Sequence, residues 1–272
     1  MQGYVFDYRL GYVRGLPSQA GFDVIGIDDA PDGKIVTLGG YTTLDMARNG
    51  QSWAHELHKQ LDGKYQILNG CTDGYSSSQI LMMFIRDVIL LKPKLVICLS
   101  GFYNIAYKLG FIKYRENANL IMAHPFTTPE QLEYYKKITS YFGLGNDRVF
   151  YGEENHIAAS ELWLRQMAEI NCISEEFGIE FRVVLQPCVF SGDYERSENE
   201  NKSIKDDFKI TEDDLESFYL GFQNEYSKIA NQSVNLDYIS DASRLFNDDR
   251  DVYSNASHIT ERLLPKLVEV LL

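Results

Sequence analysis

Residues 34–43 read KIVTLGGYTT. The short apolar run Ile35-Val36-Thr37-Leu38, rich in β-branched residues, marks a buried strand over 34–38. Gly39-Gly40 then permit a sharp turn and a close approach of backbone. Tyr41-Thr42-Thr43 are thereby presented at the carboxyl end of the strand. That edge is where open α/β sheets bind ligands.

Elements alternate outward from this strand. Residues 52–61 (SWAHELHKQL) carry apolar positions at helical spacing, 65–68 form a second strand, and NGCTDGYSSS follows as a turn-rich stretch. Residues 79–91 (QILMMFIRDVILL) predict an apolar helix ended by Lys92-Pro93-Lys94, and 95–99 (LVICL) a third strand. Strand, helix, strand, helix, strand implies parallel pairing with right-handed crossovers. Residues 110–150 have no clear period apart from a helix at 129–141, and read as an inserted rim or lid. A long helix over 155–177 and a strand over 180–186 closed by Pro187 come next. The polar run 191–209 reads as a mobile surface loop. A helix over 211–230 opens on Thr211-x-x-Asp214, close to a capping box. A fifth strand is expected at 234–236 and an amphipathic helix at 257–272. Residues 1–30 read as an irregular lead-in. The expected architecture is one domain over 1–272, a three-layer α/β/α sandwich with a parallel sheet of about five strands, flavodoxin-like in plan.

With 272 residues, 44% of them hydrophobic, the chain can bury a full core without staples. The net charge of −13 argues against nucleic acid or an anionic membrane as partner, because both select basic patches. Cys71, Cys98, Cys172 and Cys188 form no CxxC pair, so reduced thiols fit better than a disulfide framework or a zinc site. The first residues lack a basic region followed by an apolar run, and no apolar stretch approaches about eighteen residues. A soluble cytoplasmic protein is the expectation.

Four strand-end blocks carry the chemistry. They are Gly39-Gly40-Tyr41-Thr42-Thr43, Asn69-Gly70-Cys71-Thr72-Asp73-Gly74-Tyr75-Ser76-Ser77, Ser100-Gly101-Phe102-Tyr103-Asn104-Ile105 and Asn255-Ala256-Ser257-His258-Ile259-Thr260. In order and spacing they resemble the SGNH/GDSL hydrolase family, and most closely its bacterial branch with GGSTT, GYSS and GxND blocks. Ile85-Arg86-Asp87, Lys92-Pro93, Leu95-Val96 and Leu185-Gln186-Pro187 look like that branch too, so the likeness spans most of the chain. It implies the SGNH-hydrolase fold. It also implies a Ser nucleophile, a His base and an Asp three residues before the His. The oxyanion would be held by the Ser N–H, a Gly N–H of the second block and an Asn of the third.

Carried over residue by residue, the match is partial. The Ser position is Tyr41, the oxyanion Asn falls on Tyr103, and Asn104 stands where the Asp of GxND would be. The Asp before the His is Asn255. Only Gly74 and His258 are kept. Asn for Asp can hold an imidazole but supplies no charge, and the same swap in a serine protease triad costs about 10⁴ in kcat. A phenol has a pKa near 10 and an oxygen about 4 Å further out, so Tyr41 cannot occupy the attack point of a serine. Its ring would fill the acyl pocket. The expectation is a protein with a degenerate catalytic set that binds a carbohydrate or acyl-sugar ligand without hydrolysing it. Tyr41 and Tyr103, with Tyr75 nearby, would supply aromatic faces for stacking; the same rings could equally plug a dead pocket. The sugar follows from the resemblance, because many relatives act on esters of cell-surface polysaccharides.

An enzymatic alternative stays open. Thr42 or Tyr41 could act with His258 in an active carbohydrate esterase or acyltransferase, with Asn104 shifted into the oxyanion site. Other positions are weaker. His55 and His58 share a helix face but have no third clustered ligand. His124 and His156 sit in or near the rim, and Asp251 precedes His258 at an awkward spacing. No cofactor and no metal are implied, and the oligomeric state is left open.

Overall fold

The computed structural model describes residues 4–7, 11–14, 22–40, 52–72, 74–109, 158–208, 210–254 and 256–272. The 34–43 strand is central. It runs as β4 (Lys34–Gly39) with Ile35, Val36 and Leu38 buried. On one side it pairs in parallel with β5 (Gln66–Asn69), on the other with β6 (Leu95–Ser100). Beyond β6 lie β7 (Glu180–Leu185) and β8 (Ile239–Asp241), both parallel. Beyond β5 lies β3 (Asp23–Ile25), which is antiparallel. The sheet order is thus β3-β5-β4-β6-β7-β8. A separate antiparallel pair, β1 (Tyr4–Asp7) and β2 (Gly11–Arg14), precedes it.

The connections explain the layers. α1 (Trp53–Gln60) joins β4 to β5, capped by Ser52, whose hydroxyl accepts the His55 N–H. α2 (Ser77–Met83) continues through a π-helical segment, Phe84–Val88, and a last turn, Ile89–Leu91. It carries the chain back over β4 to β6. Right-handed crossovers in opposite directions put α1 and α2 on opposite faces of the sheet. α1 packs against the C-terminal helix α7 (Leu264–Leu271), reached through α3 (Phe102–Lys108), α4 (Ala159–Glu176), α5 (Glu198–Phe208) and α6 (Glu212–Ser233). α2, α4 and α6 pack in succession. This is a three-layer α/β/α sandwich. The core between its layers holds Trp53, Phe84, Trp163, Phe102, Phe190 and Phe222.

One consequence of this order bears on function. The chain leaves β4 toward β5, whereas from β6 it moves outward to β7 and β8. The connections diverge between β4 and β6. That boundary is the topological switch point, where a crevice opens at the carboxyl ends of the strands.

Several expectations need correcting. The sheet has six strands and is mixed, because β3 enters antiparallel from the segment expected to be irregular. Residues 191–209 are not simply a loop, since α5 occupies Glu198–Phe208. The last strand is Ile239–Asp241 rather than 234–236: Val234 ends α6 and is exposed, and Leu236 N–H closes a turn onto Ser233. The final helical segment begins at Glu261, not Ser257, because Ile259 pairs back with Tyr253. The Thr211 capping box is present, with Asp214 N–H donating to Thr211 Oγ1 at 3.2 Å and Thr211 N–H to Asp214 Oδ2 at 2.9 Å. The expected rim over 110–150 and its helix at 129–141 lie outside the described residues.

Cys71, Cys98 and Cys188 are buried and Cys172 is exposed. Burial pushes the Cys98 thiol up from 9.0 to about 12 and the Cys188 thiol to about 11. Their folded pKa values lie above the unfolded value, so their contribution to stability is complete below pH 9.0 and is lost as the pH rises toward 11 to 12. Titration of the native protein with a disulfide reagent at pH 8 should therefore modify Cys172 alone. Rapid modification of Cys98 or Cys188 without unfolding would contradict this core.

Candidate functional site

Three strand-end blocks meet at the switch point. The second block is tied to the first by backbone, with Gly70 N–H donating to Thr37 O at 2.9 Å and Thr72 N–H to Gly39 O at 3.1 Å. The third reaches the first through a side chain. A Cβ on Gly40 would lie 2.4 Å from Tyr103 Cε2, so the ring of Tyr103 rests directly on the Gly40 backbone. Only glycine admits that approach. The third block is tied to the second as well: Tyr107 OH donates to Gly74 O at 2.6 Å.

Asn104 closes the same junction from inside. Its Oδ1 accepts the Ser77 N–H at 3.0 Å and its Nδ2 donates to Ser77 Oγ at 2.6 Å. Ser77 Oγ in turn donates to Gln166 Oε1, and Gln166 Nε2 donates to Ser78 Oγ at 2.6 Å. One hydroxyl thus accepts from α3 and donates to α4, using both of its capacities. The carboxamide of Asn104 binds the first turn of α2. Trp163 Nε1 fixes the end of β6 by donating to Ser100 Oγ at 2.9 Å.

From Tyr103 a series of rings runs along the carboxyl edge. Tyr103 lies edge-on to Phe102 at 5.4 Å, Phe102 stacks on Phe222 at 5.4 Å, and Phe222 stacks on Phe190 at 4.8 Å. Tyr107 flanks Tyr103 at 5.8 Å. Tyr103 is 9% exposed and Tyr75 is 2% exposed. Tyr75 therefore belongs to the core and offers no stacking face to a ligand.

The final block is held from the β7 side. Val189 N–H donates to Ala256 O at 3.0 Å, and the segment closes on itself through Ser254 N–H to His258 O at 2.9 Å and Thr260 N–H to Val252 O at 2.8 Å. His258 is buried within this loop. The loop is pinned by Glu200, a buried carboxylate on α5. Glu200 accepts from Tyr194 OH at 2.7 and 2.8 Å, from Ser197 N–H at 2.8 Å and from Tyr253 N–H at 2.9 Å. Tyr194 OH in turn accepts the Val252 N–H at 3.1 Å. Burial and the neighbouring Glu200 raise the Tyr194 pKa, which keeps the phenol a donor.

Of the expected site residues, Gly74, Tyr103 and Asn104 lie on blocks tied to one another, and His258 lies on the loop held to the segment after β7. Tyr41, Thr42 and Asn255 lie outside the described residues, as do His124 and His156. Asp251 is exposed whereas His258 is buried. His55 and His58 serve the α1 end: His55 Nδ1 lies 2.8 Å from Ser52 Oγ and His58 Nδ1 lies 3.1 Å from Tyr65 O. Burial lowers the His55 pKa. Among the described residues no three His, Cys, Asp or Glu side chains gather to hold a metal ion. No helix among them is long and apolar enough to cross a membrane. Tyr107, Gln166 and Glu200 were missed by residue type. For Glu200 a signal existed: Ser197-x-x-Glu200 is a capping-box spacing, and Glu200 N–H does donate to Ser197 Oγ at 3.3 Å.

No family model and no curated protein sequence matches the chain. Similar solved structures include an acetyl xylan esterase at 12% identity, covering 87% of this chain and 96% of that one, with a TM-score of 0.47. A GDSL-like lipase from Bacteroides thetaiotaomicron is 14% identical over 88% of this chain and 89% of its own, with a TM-score of 0.46. A catalytic mutant of an acetylxylan esterase from Geobacillus stearothermophilus is 13% identical over 90% and 93%, with a TM-score of 0.45.

Two stability measurements check this geometry. Gly40→Ala should cost about 1–3 kcal/mol by overpacking. The cost should shrink by about 1 kcal/mol or more in a Tyr103→Ala background, where the colliding ring is gone. Strict additivity in a denaturant double-mutant cycle would refute the contact. Glu200→Ala strands several buried donors and should cost roughly 3 kcal/mol. The exposed neighbour Glu198→Ala should stay within about 0.5 kcal/mol of the parent. Equal midpoints for the two variants would rule out the Glu200 network.

Proposed function

We propose that this chain is an SGNH-hydrolase-like protein with a degenerate catalytic set, and that the crevice between β4 and β6 binds a carbohydrate or acylated sugar without hydrolysing it. The observation that carries this reading is the ring of Tyr103 seated on Gly40. Where the family places an oxyanion-binding Asn, this chain places a bulky phenol. The ring lies against the turn from which an attacking group would be presented. Asn104, the neighbouring candidate for that role, has its carboxamide engaged with Ser77. The first block offers Tyr41 in the nucleophile position, and Asn255 in place of an acid removes the charge that would support an imidazolium at His258.

A neutral, hydroxylated ligand suits these features. The chain is acidic, which disfavours anionic substrates near its surface. A tyrosine at position 41, in the block that follows β4, would suit the apolar face of a sugar ring. The sugar itself rests on the sequence resemblance. The same reading places the protein in the cytoplasm, supported by four cysteines without a pairing pattern.

Calorimetric titration with acylated sugars, free oligosaccharides and nucleotide sugars tests this directly, alongside turnover of p-nitrophenyl acetate. The expected result is binding of at least one sugar, weakened by Tyr41→Ala, with ester turnover at the level of a His258→Ala control. Turnover abolished by Thr42→Ala or Tyr41→Phe would replace the binding reading with an enzymatic one. Absence of heat with every sugar would leave the crevice filled by its own rings and overturn the ligand.

A further inference from the structure

A second cleft, of about 530 Å³, opens at the β8 edge of the sheet between the later turns of α6 and the tip of β8. Its volume falls in the range of about 300–1,000 Å³ typical of small-molecule sites. It lies two strands from β6, or about 10 Å at the usual inter-strand spacing, and so is separate from the switch point.

The walls are chemically distinct. On α6, Gln223, Ser227 and Asn231 follow one another at i, i+4 and i+8 and line one helix face. Opposite stand Asp241, Ser243 and Arg244. Val234 and Ile239 contribute apolar surface. Arg244 is exposed and makes no ion pair with any described residue, although the chain carries a net charge of −13.

The cleft is also built rigidly. Gln223 Nε2 donates to Phe190 O at 2.7 Å and to Gly192 O, which spends both of its N–H groups. Asp241 Oδ1 accepts the Ser243 N–H at 2.8 Å. Asp193 N–H donates to Asn247 Oδ1 at 3.2 Å, latching the two turns that form the floor. Gly192 has φ +62°, and a Cβ there would lie 2.4 Å from Asn247 Oδ1 and 2.9 Å from Ser243 O. The turns could not pack this closely around any other residue.

We propose that this cleft is a second binding site, for a neutral polyhydroxylated compound such as a monosaccharide or short oligosaccharide. A guanidinium donates two hydrogen bonds to adjacent oxygens, and a carboxylate accepts two from adjacent hydroxyls. One of each leaves the site without net charge, which excludes a dedicated anion site. The Asn231 amide and the Ser227 hydroxyl of α6 supply further partners, and Val234 and Ile239 suit the C–H face of a pyranose. The held Gln223 and Asp241 side chains reduce the ordering cost of binding. The inference does not depend on what the β4–β6 crevice binds.

Backbone and side-chain amide NMR of the whole chain, titrated with methyl β-xyloside, methyl β-glucoside and, separately, sulfate, tests the proposal. At least one glycoside should shift the Asn231 side-chain resonance and the amides of residues 241–244. Arg244→Ala and Asn231→Ala, both at exposed positions, should each weaken that response about tenfold or more, the loss expected for a charge-assisted or well-ordered hydrogen bond. Tyr41→Ala should leave it unchanged. Shifts by sulfate alone would overturn the proposal. So would a glycoside response lost in Tyr41→Ala but kept in Arg244→Ala, which would assign the sugar to the other crevice. No shift with either glycoside would end it as well.

Discussion

The contact between the Tyr103 ring and the Gly40 backbone is the constraint on which the site depends. It joins the ends of β4 and β6 across the point where the chain's connections diverge. A glycine is needed on one side because a Cβ cannot fit. A large planar side chain on the other fills space that a smaller residue would leave open. The remaining carboxyl-edge contacts build on this one. Tyr107 reaches Gly74 from the same helix as Tyr103, and Asn104 binds the start of α2 beneath it.

The hydrogen bonds that Asn104 and Ser77 exchange at the junction are buried, which makes them stiff. A half-satisfied network would cost more than an apolar one. Ser77 illustrates the economy of the arrangement, accepting from Asn104 and donating to Gln166. Glu200 serves the final block in a similar way, gathering Tyr194, Ser197 and Tyr253 on one carboxylate. The blocks after β4, β5 and β6 are therefore fixed to one another. The histidine loop is fixed to the segment after β7.

The central strands were readable because their residues are buried on both faces, as in 34–38 and 95–99, where an apolar run has no other use. Edge strands lack that mark. In β8 only Ile239 packs inward, so the more apolar segment 234–236 (VNL) drew the assignment instead of 239–241 (ISD). β3 is three residues long and follows a stretch without period. α5 is polar over most of its length, with Ile204 its buried anchor, and composition alone suggested a loop. The Ser197-x-x-Glu200 spacing inside that run was the available clue. Block residues could be found from the sequence, but their partners could not. Tyr107 and Gln166 are ordinary helical residues until the fold sets them beside Gly74 and Ser77.

The central claim is that the crevice carries no activated alcohol. Incubation with a fluorophosphonate, followed by intact-mass and peptide mapping, tests it most directly because the reagent needs only an activated nucleophile, not a matched substrate. The account predicts an unmodified chain. A stoichiometric adduct on Thr42 that disappears in His258→Ala would contradict it.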